Sequence, residues 1–125
     1  MKRFYDKGLI ETCLKRTKFE PVMSGLRKHL FAVQYEKGEF VTMPLQKEHL
    51  FQIIIQGSVN IYFIRDDGSV YSLAKGQKND LLGEMKIFQR QPGNVYAEAS
   101  DHVICLALSI ESSRDALLEN CPFFS

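Results

Sequence analysis

Tryptophan is missing from the chain, cysteine and proline are scarce at three and four residues, and net charge is nearly absent: 16 Lys and Arg face 15 Asp and Glu, leaving +1 at pH 7. Each shortage excludes something. Cys13, Cys105 and Cys121 are odd in number, widely spaced and form no C-x-x-C, so neither a disulfide framework nor a zinc module is indicated. An iron–sulfur cluster of the usual kind needs four thiolates and cannot be assembled from them. A balanced charge offers no field for nucleic acid, whereas DNA-binding domains are usually strongly basic. No apolar run approaches the ~20 residues that cross a bilayer. The N-terminus, MKRFYDKGLIETCLKR, is charged throughout and lacks the apolar centre of a signal peptide. A cytoplasmic location without a membrane partner is expected. His29, His49 and His102 stand alone, which leaves haem or metal ligation unsupported and no cofactor indicated. There is no P-loop, nucleophile elbow or paired-carboxylate arrangement, so the chain is not expected to be an enzyme.

What is present fits one globular domain: 125 residues, 45% hydrophobic and 25% charged. Internal repeats and low-complexity segments are absent. In the first 18 residues Phe4, Tyr5, Leu9, Ile10 and Leu14 recur at roughly helical spacing, predicting an amphipathic helix. Pro21 breaks it, and a second short helix is expected from Pro21 to Leu30 with Val22, Leu26 and Leu30 on one face. From Phe31 the period becomes two: Phe31, Val33 and Tyr35 alternate with Ala32, Gln34 and Glu36, and Phe40, Val41 and Met43 make a further short strand. The central stretch, Phe51 to Phe88, reads as strand, turn and strand. Val59, Ile61 and Phe63 point one way, Asn60, Tyr62 and Ile64 the other, and Asp67-Gly68 signals a hairpin with a primed turn. Gly57 lets the chain bend after Ile53-Ile54-Ile55. Lys75 to Asp80 is a polar turn, Leu82 to Phe88 one or two helical turns, and Gln89 to Asn94 a loop. Val95–Ala99 and Val103–Leu108 are the last strands, and Ser109 caps a helix through Ala116, Leu117 and Leu118. Cys105, on an apolar strand, is expected in the core.

The order F-x-x-I-x-x-G-x-V-x-I-Y from Phe51 to Tyr62, then Asp67-Gly68, then Asn79-Asp80-Leu81-Leu82-Gly83-Glu84-Met85, resembles the cyclic-nucleotide-binding β-roll of Crp/Fnr-family transcription regulators. The resemblance runs from about Phe31 to Phe124. It implies a mainly β fold with flanking helices, a double-stranded β-helix or jelly roll that is also cupin-like. Residues 1–30 would form an N-terminal helical segment packed on the roll, and residues 31–125 the sensor domain. The metal set of cupins, an H-x-H with a later Glu and His, is not in the sequence.

In that family, as the resemblance implies, a Gly-Glu pair opens the phosphate-binding segment, the Glu takes the ribose hydroxyl, and an Arg about ten residues later pairs with the cyclic phosphate. A guanidinium fork suits the task because it gives a buried monoanion two charge-assisted bonds. Gly83 and Glu84 match the first half, followed by Met85. The second half departs: where the family has Pro-Arg-Ser/Thr-Ala, this chain has Pro92-Gly93-Asn94-Val95, and no residue from Gly93 to Ala99 is basic. Arg90 lies upstream of the required place. One charge-assisted bond contributes on the order of 1.5–3 kcal/mol and an unpaired buried phosphate costs more. Affinity should therefore fall by roughly two to three decades, from micromolar to millimolar. Cyclic AMP and cyclic GMP are not the expected effectors. Apolar Met85, Ile87, Val95 and Tyr96 favour a small or apolar guest.

The resemblance thus implies an effector-sensing domain with an unidentified small-molecule effector. In the full-length regulator a long helix would make a homodimer, and a C-terminal helix-turn-helix, not present in this chain, would read DNA. The other reading is a stand-alone small-molecule-binding or protein-interaction roll. A reading frame that continues past Ser125 into a basic recognition helix distinguishes the first from the second.

Overall fold

Period-two alternation becomes strand wherever it predicts one, and two sheets result. The computed structural model describes residues 1–43, 48–83 and 95–120. Its strands are β1 (Lys2–Phe4), β2 (Phe31–Tyr35), β3 (Phe40–Thr42), β4 (Leu50–Gln56), β5 (Val59–Ile64), β6 (Val70–Gly76), β7 (Leu81–Leu82), β8 (Val95–Ala99) and β9 (Val103–Ser109). The helices are α1 (Lys7–Lys15), α2 (Glu20–Met23), a 3-10 helix (Ser24–His29) and α3 (Ile110–Asn120). One sheet runs β1-β2-β9-β4-β7, the other β3-β8-β5-β6, and every pairing is antiparallel. Among the described residues no helix is long and apolar enough to cross a membrane.

The five-stranded sheet is buried on both faces, which explains why β4, LFQIIIQ, is apolar almost throughout. Phe51, Ile53, Ile55, Leu106 and Leu108 face the helices and meet Ile10, Leu14, Met23 and Leu26. Val33, Tyr35, Ile54, Val103 and Cys105 face the second sheet and meet Val41, Val59, Ala97 and Ala99. Cys105 is fully buried in this inter-sheet core, as its place on an apolar strand predicts. One polar pair sits there too. The Tyr35 hydroxyl donates to Gln52 Oε1 at 2.7 Å, and Gln52 Nε2 donates to the Val41 carbonyl at 3.0 Å. Burial keeps Tyr35 neutral, its pKa raised chiefly by desolvation.

Three local expectations need correction. The N-terminus does not form one helix from Met1: Lys2–Phe4 pair with β2, Lys2 opposite Gln34 and Phe4 opposite Ala32. Helix begins only after Asp6, whose carboxylate accepts from the Gly8 and Leu9 amides at 2.7 and 3.3 Å. Phe4 and Tyr5 therefore lie outside the apolar stripe, and Tyr5 is 66% exposed. Nor does Pro21 end a helix. α1 has already stopped at Lys15, and Pro21 sits in the first turn of α2, where its missing N–H is harmless. The segment after it tightens into a 3-10 helix and leaves Leu30 extended. Lastly, the β5–β6 hairpin has no primed turn at Asp67-Gly68. Gly68 has φ +86° but Asp67 is not among the positive-φ residues. The Gly68 amide donates to the Arg65 carbonyl and the Arg65 amide to the Ser69 carbonyl, both at 2.9 Å, a three-residue loop closed by a left-handed glycine.

Candidate functional site

The described chain leaves one sheet after β7 at Gly83 and re-enters the other at Val95, the first residue of β8. The approach to Gly83 is held firmly. The Asn79 amide donates to the Ile54 carbonyl at 2.8 Å, and the Ile54 amide to the Asp80 carbonyl at 3.1 Å, prolonging the β4 edge into the turn. The Gln77 amide donates to the Asp80 carboxylate at 2.7 Å. Asn79 adopts φ +74°, a left-handed conformation that Asn visits more readily than most residues. Its Oδ1 accepts from Thr17 Oγ at 2.8 Å and from the Lys18 amide at 3.1 Å. Thr17 is buried, so this clamp joins the end of α1 to the turn that precedes the site.

Gly83 itself has φ +94°, and a Cβ there would lie 2.1 Å from the Leu50 carbonyl oxygen. Packing against β4 alone requires glycine, whatever the site binds. Of the other predicted site residues, Glu84, Met85, Gly93 and Asn94 lie outside the described residues, as do Ile87, Arg90 and the helical turns expected over Leu82 to Phe88 beyond β7. Val95 opens β8 opposite Phe63. Ala97 and Ala99 share its side of the strand and belong to the inter-sheet core, so Val95 faces inward at the mouth. Tyr96 does not line the cup. It stands on the other side of β8, stacked on Tyr62 at 5.5 Å and 11° and touching Phe40 at 5.5 Å. One position of register sends neighbouring residues to opposite faces, and the alternation that places Ala97 inside places Tyr96 outside. The Tyr62 hydroxyl donates to Glu98 at 3.0 Å, and desolvation with that carboxylate pushes its pKa up to about 12.

The side of β5 that faces the other sheet is apolar: Val59 and Ile61 pack in the inter-sheet core, and Phe63, paired with Val95 of β8, continues their parity. Arg65 continues the parity of that face at the hairpin tip. Its guanidinium lies 4.1 Å over the Tyr71 ring, and both residues are exposed. The sequence reading missed this pair, although the odd-numbered alternation from Val59 onward carries the signal. It also missed the Thr17–Asn79 clamp, which joins residues 62 positions apart and has no local mark. Two of the three histidines meet surface partners: His49 with Glu111, His102 with Gln34 and Glu36. Cys13 and Cys105 are buried free thiols, with the pKa of each raised by desolvation, and Cys121 lies outside the described residues. Among the described residues no three His, Cys, Asp or Glu cluster to hold a metal ion.

Solved structures share this architecture. The regulatory subunit of a cAMP-independent protein kinase A from Trypanosoma brucei matches with TM-score 0.73 and 21% identity over 91% of this chain and 45% of its own. The Trypanosoma cruzi regulatory subunit bound to guanosine matches with TM-score 0.72 and 18% identity over 89% of this chain and 41% of its own. The sensor domain of the transcriptional regulator DNR from Pseudomonas aeruginosa gives TM-score 0.71 and 22% identity over 93% of this chain and 81% of its own. At these identities the likeness establishes the fold, and the chain spans less than half the length of the solved kinase subunits it matches. No curated protein matches it. The family profile described as the cyclic nucleotide-binding domain matches residues 32–120, the greater part of the sequence. The chain belongs to the cyclic nucleotide-binding domain family.

Proposed function

We propose that this domain senses a small uncharged effector in the cup of the roll, as part of a Crp/Fnr-type transcription regulator, and that cyclic AMP is not that effector. The observation carrying the proposal is the pairing of a retained Gly83-Glu84 with a stretch from Gly93 to Ala99 that holds no cation. Without a guanidinium the cyclic phosphate would enter an apolar mouth formed by Ile61, Phe63 and Val95 and remain unpaired. Glu84 would still accept a hydroxyl, and the aromatic and aliphatic faces would still take a flat or apolar body. Two relatives support this division of labour. The Trypanosoma cruzi subunit is bound to guanosine, a nucleoside without phosphate. The Trypanosoma brucei subunit bound to cAMP is a triple mutant, one of whose changes replaces threonine with arginine.

The regulator reading draws on the DNR sensor domain, four-fifths of which this chain covers. In it the domain is not a catalyst. An occupied cup shifts the β6–β7 turn, the Asn79–Thr17 clamp carries the shift to the N-terminal layer, and a following helix dimerises the protein and aims a helix-turn-helix at DNA. The test is to restore the cation. Gly93→Arg should tighten cyclic AMP binding by roughly a hundredfold or more, since two to three decades is the estimated loss. An unchanged affinity would remove Gly93 from the phosphate position.

A further inference from the structure

On the side of the five-stranded sheet away from the cup, α1 and the 3-10 helix enclose a groove of about 540 Å³. Lys7, Ile10 and Glu11 line one wall, Ser24, Gly25, Arg27 and Lys28 the other, with Tyr5 and Leu30 completing it. Its size lies within the range of small-molecule pockets, which is about 300–1,000 Å³. We propose that it is a second binding site, separate from the cup, for a small amphipathic monoanion: an aliphatic or aromatic body carrying one carboxylate.

Shape and charge both select this class. Ile10, Leu30 and the exposed Tyr5 ring give an apolar bed, extended by the stems of the lysines. The groove is preformed. Tyr5 is held against Phe31, ring centroids 5.3 Å apart, and Arg27 reaches across to Glu11, Nη2 to Oε2 at 3.1 Å, tying the two walls together. That fork neutralises Arg27 and leaves Lys7 and Lys28, which have no ion-pair partner among the described residues. Two unspent ammonium groups beside an apolar bed match one carboxylate on a hydrophobic body. A ligand here would bridge α1 and the 3-10 helix, the layer to which the Asn79 clamp is fastened.

Octanoate, 1-octanol and acetate are the probes, titrated into the intact protein and followed by amide chemical shifts. Octanoate should saturate with shifts in residues 5–11 and 24–30, at least tenfold tighter than octanol, and acetate should not bind. Replacing Lys7→Gln and Lys28→Gln together, both exposed and harmless to the core, should abolish the preference for octanoate over octanol. Tyr5→Ala should weaken both. Equal affinity for octanoate and octanol in the native protein, a preference that survives the lysine changes, shifts confined to residues around Gly83 and Val95, or no saturation would each overturn the proposal. None of these results bears on the cup, whose test uses cyclic AMP.

Discussion

Two glycines share a backbone conformation and differ in what surrounds them. Gly68 at φ +86° has nothing within 4 Å of a hypothetical Cβ, whereas Gly83 at φ +94° would press its Cβ to 2.1 Å from the Leu50 carbonyl oxygen. Alanine at either position meets left-handed strain of about 1–2 kcal/mol. At Gly83 backbone overlap adds to it, since the neighbour is main chain and cannot swing away. In urea denaturation Gly83→Ala should lose about 2–4 kcal/mol and Gly68→Ala only about 1. Equal losses would mean that β7 can shift off β4 at little expense. The comparison also bears on inference: Gly83 looks like half of a ligand motif, yet packing explains it completely. At this scale the sequence reveals Cys105 as core and Gly57 as a bend, because both effects are local. Gly57 has φ +90°, and a Cβ there would lie 2.3 Å from the His102 carbonyl.

At the scale of elements, alternation predicts strands well and their closures poorly. β2 and β5 follow period two, whereas β4 is apolar almost throughout. The hairpin turn differs because Asp-Gly suits more than one loop, and the choice depends on how many residues span the gap between Ile64 and Val70. The N-terminal segment differs because apolar residues at helical spacing also fit a three-residue strand, and pairing with β2 decides between them. Tyr96, expected from its apolar ring to favour an apolar guest, is sent by the period itself to the outer side of β8 against Tyr62 and Phe40. The Thr17–Asn79 clamp is where one element holds another, and it can be weighed. Asn79→Ala loses two hydrogen bonds and strains φ +74°; Asn79→Gly loses the same bonds but relieves the strain. Alanine should destabilise by about 2–4 kcal/mol and glycine by about 1 kcal/mol less. Chemical denaturation of the pair checks this, and glycine equal to alanine would show that the positive φ is unstrained.

Across the whole molecule, one sheet is sandwiched between a helical layer and a second sheet, so the cup on one side and the groove on the other share a rigid partition. A helical layer on the roll was legible from the apolar spacing of the N-terminal segment, and cover on both faces explains a run as apolar as Ile53-Ile54-Ile55. The lack of a basic residue from Gly93 to Ala99 was legible as well, since it is a matter of residue type. What occupies the cup was not, because an apolar mouth specifies its guest by shape, and shape belongs to the assembled fold. Isothermal titration of cyclic AMP into the unmodified protein is the most direct measurement. The expected dissociation constant lies in the millimolar range, and binding tighter than about 50 micromolar would contradict the claim that this cup has lost its hold on the cyclic phosphate.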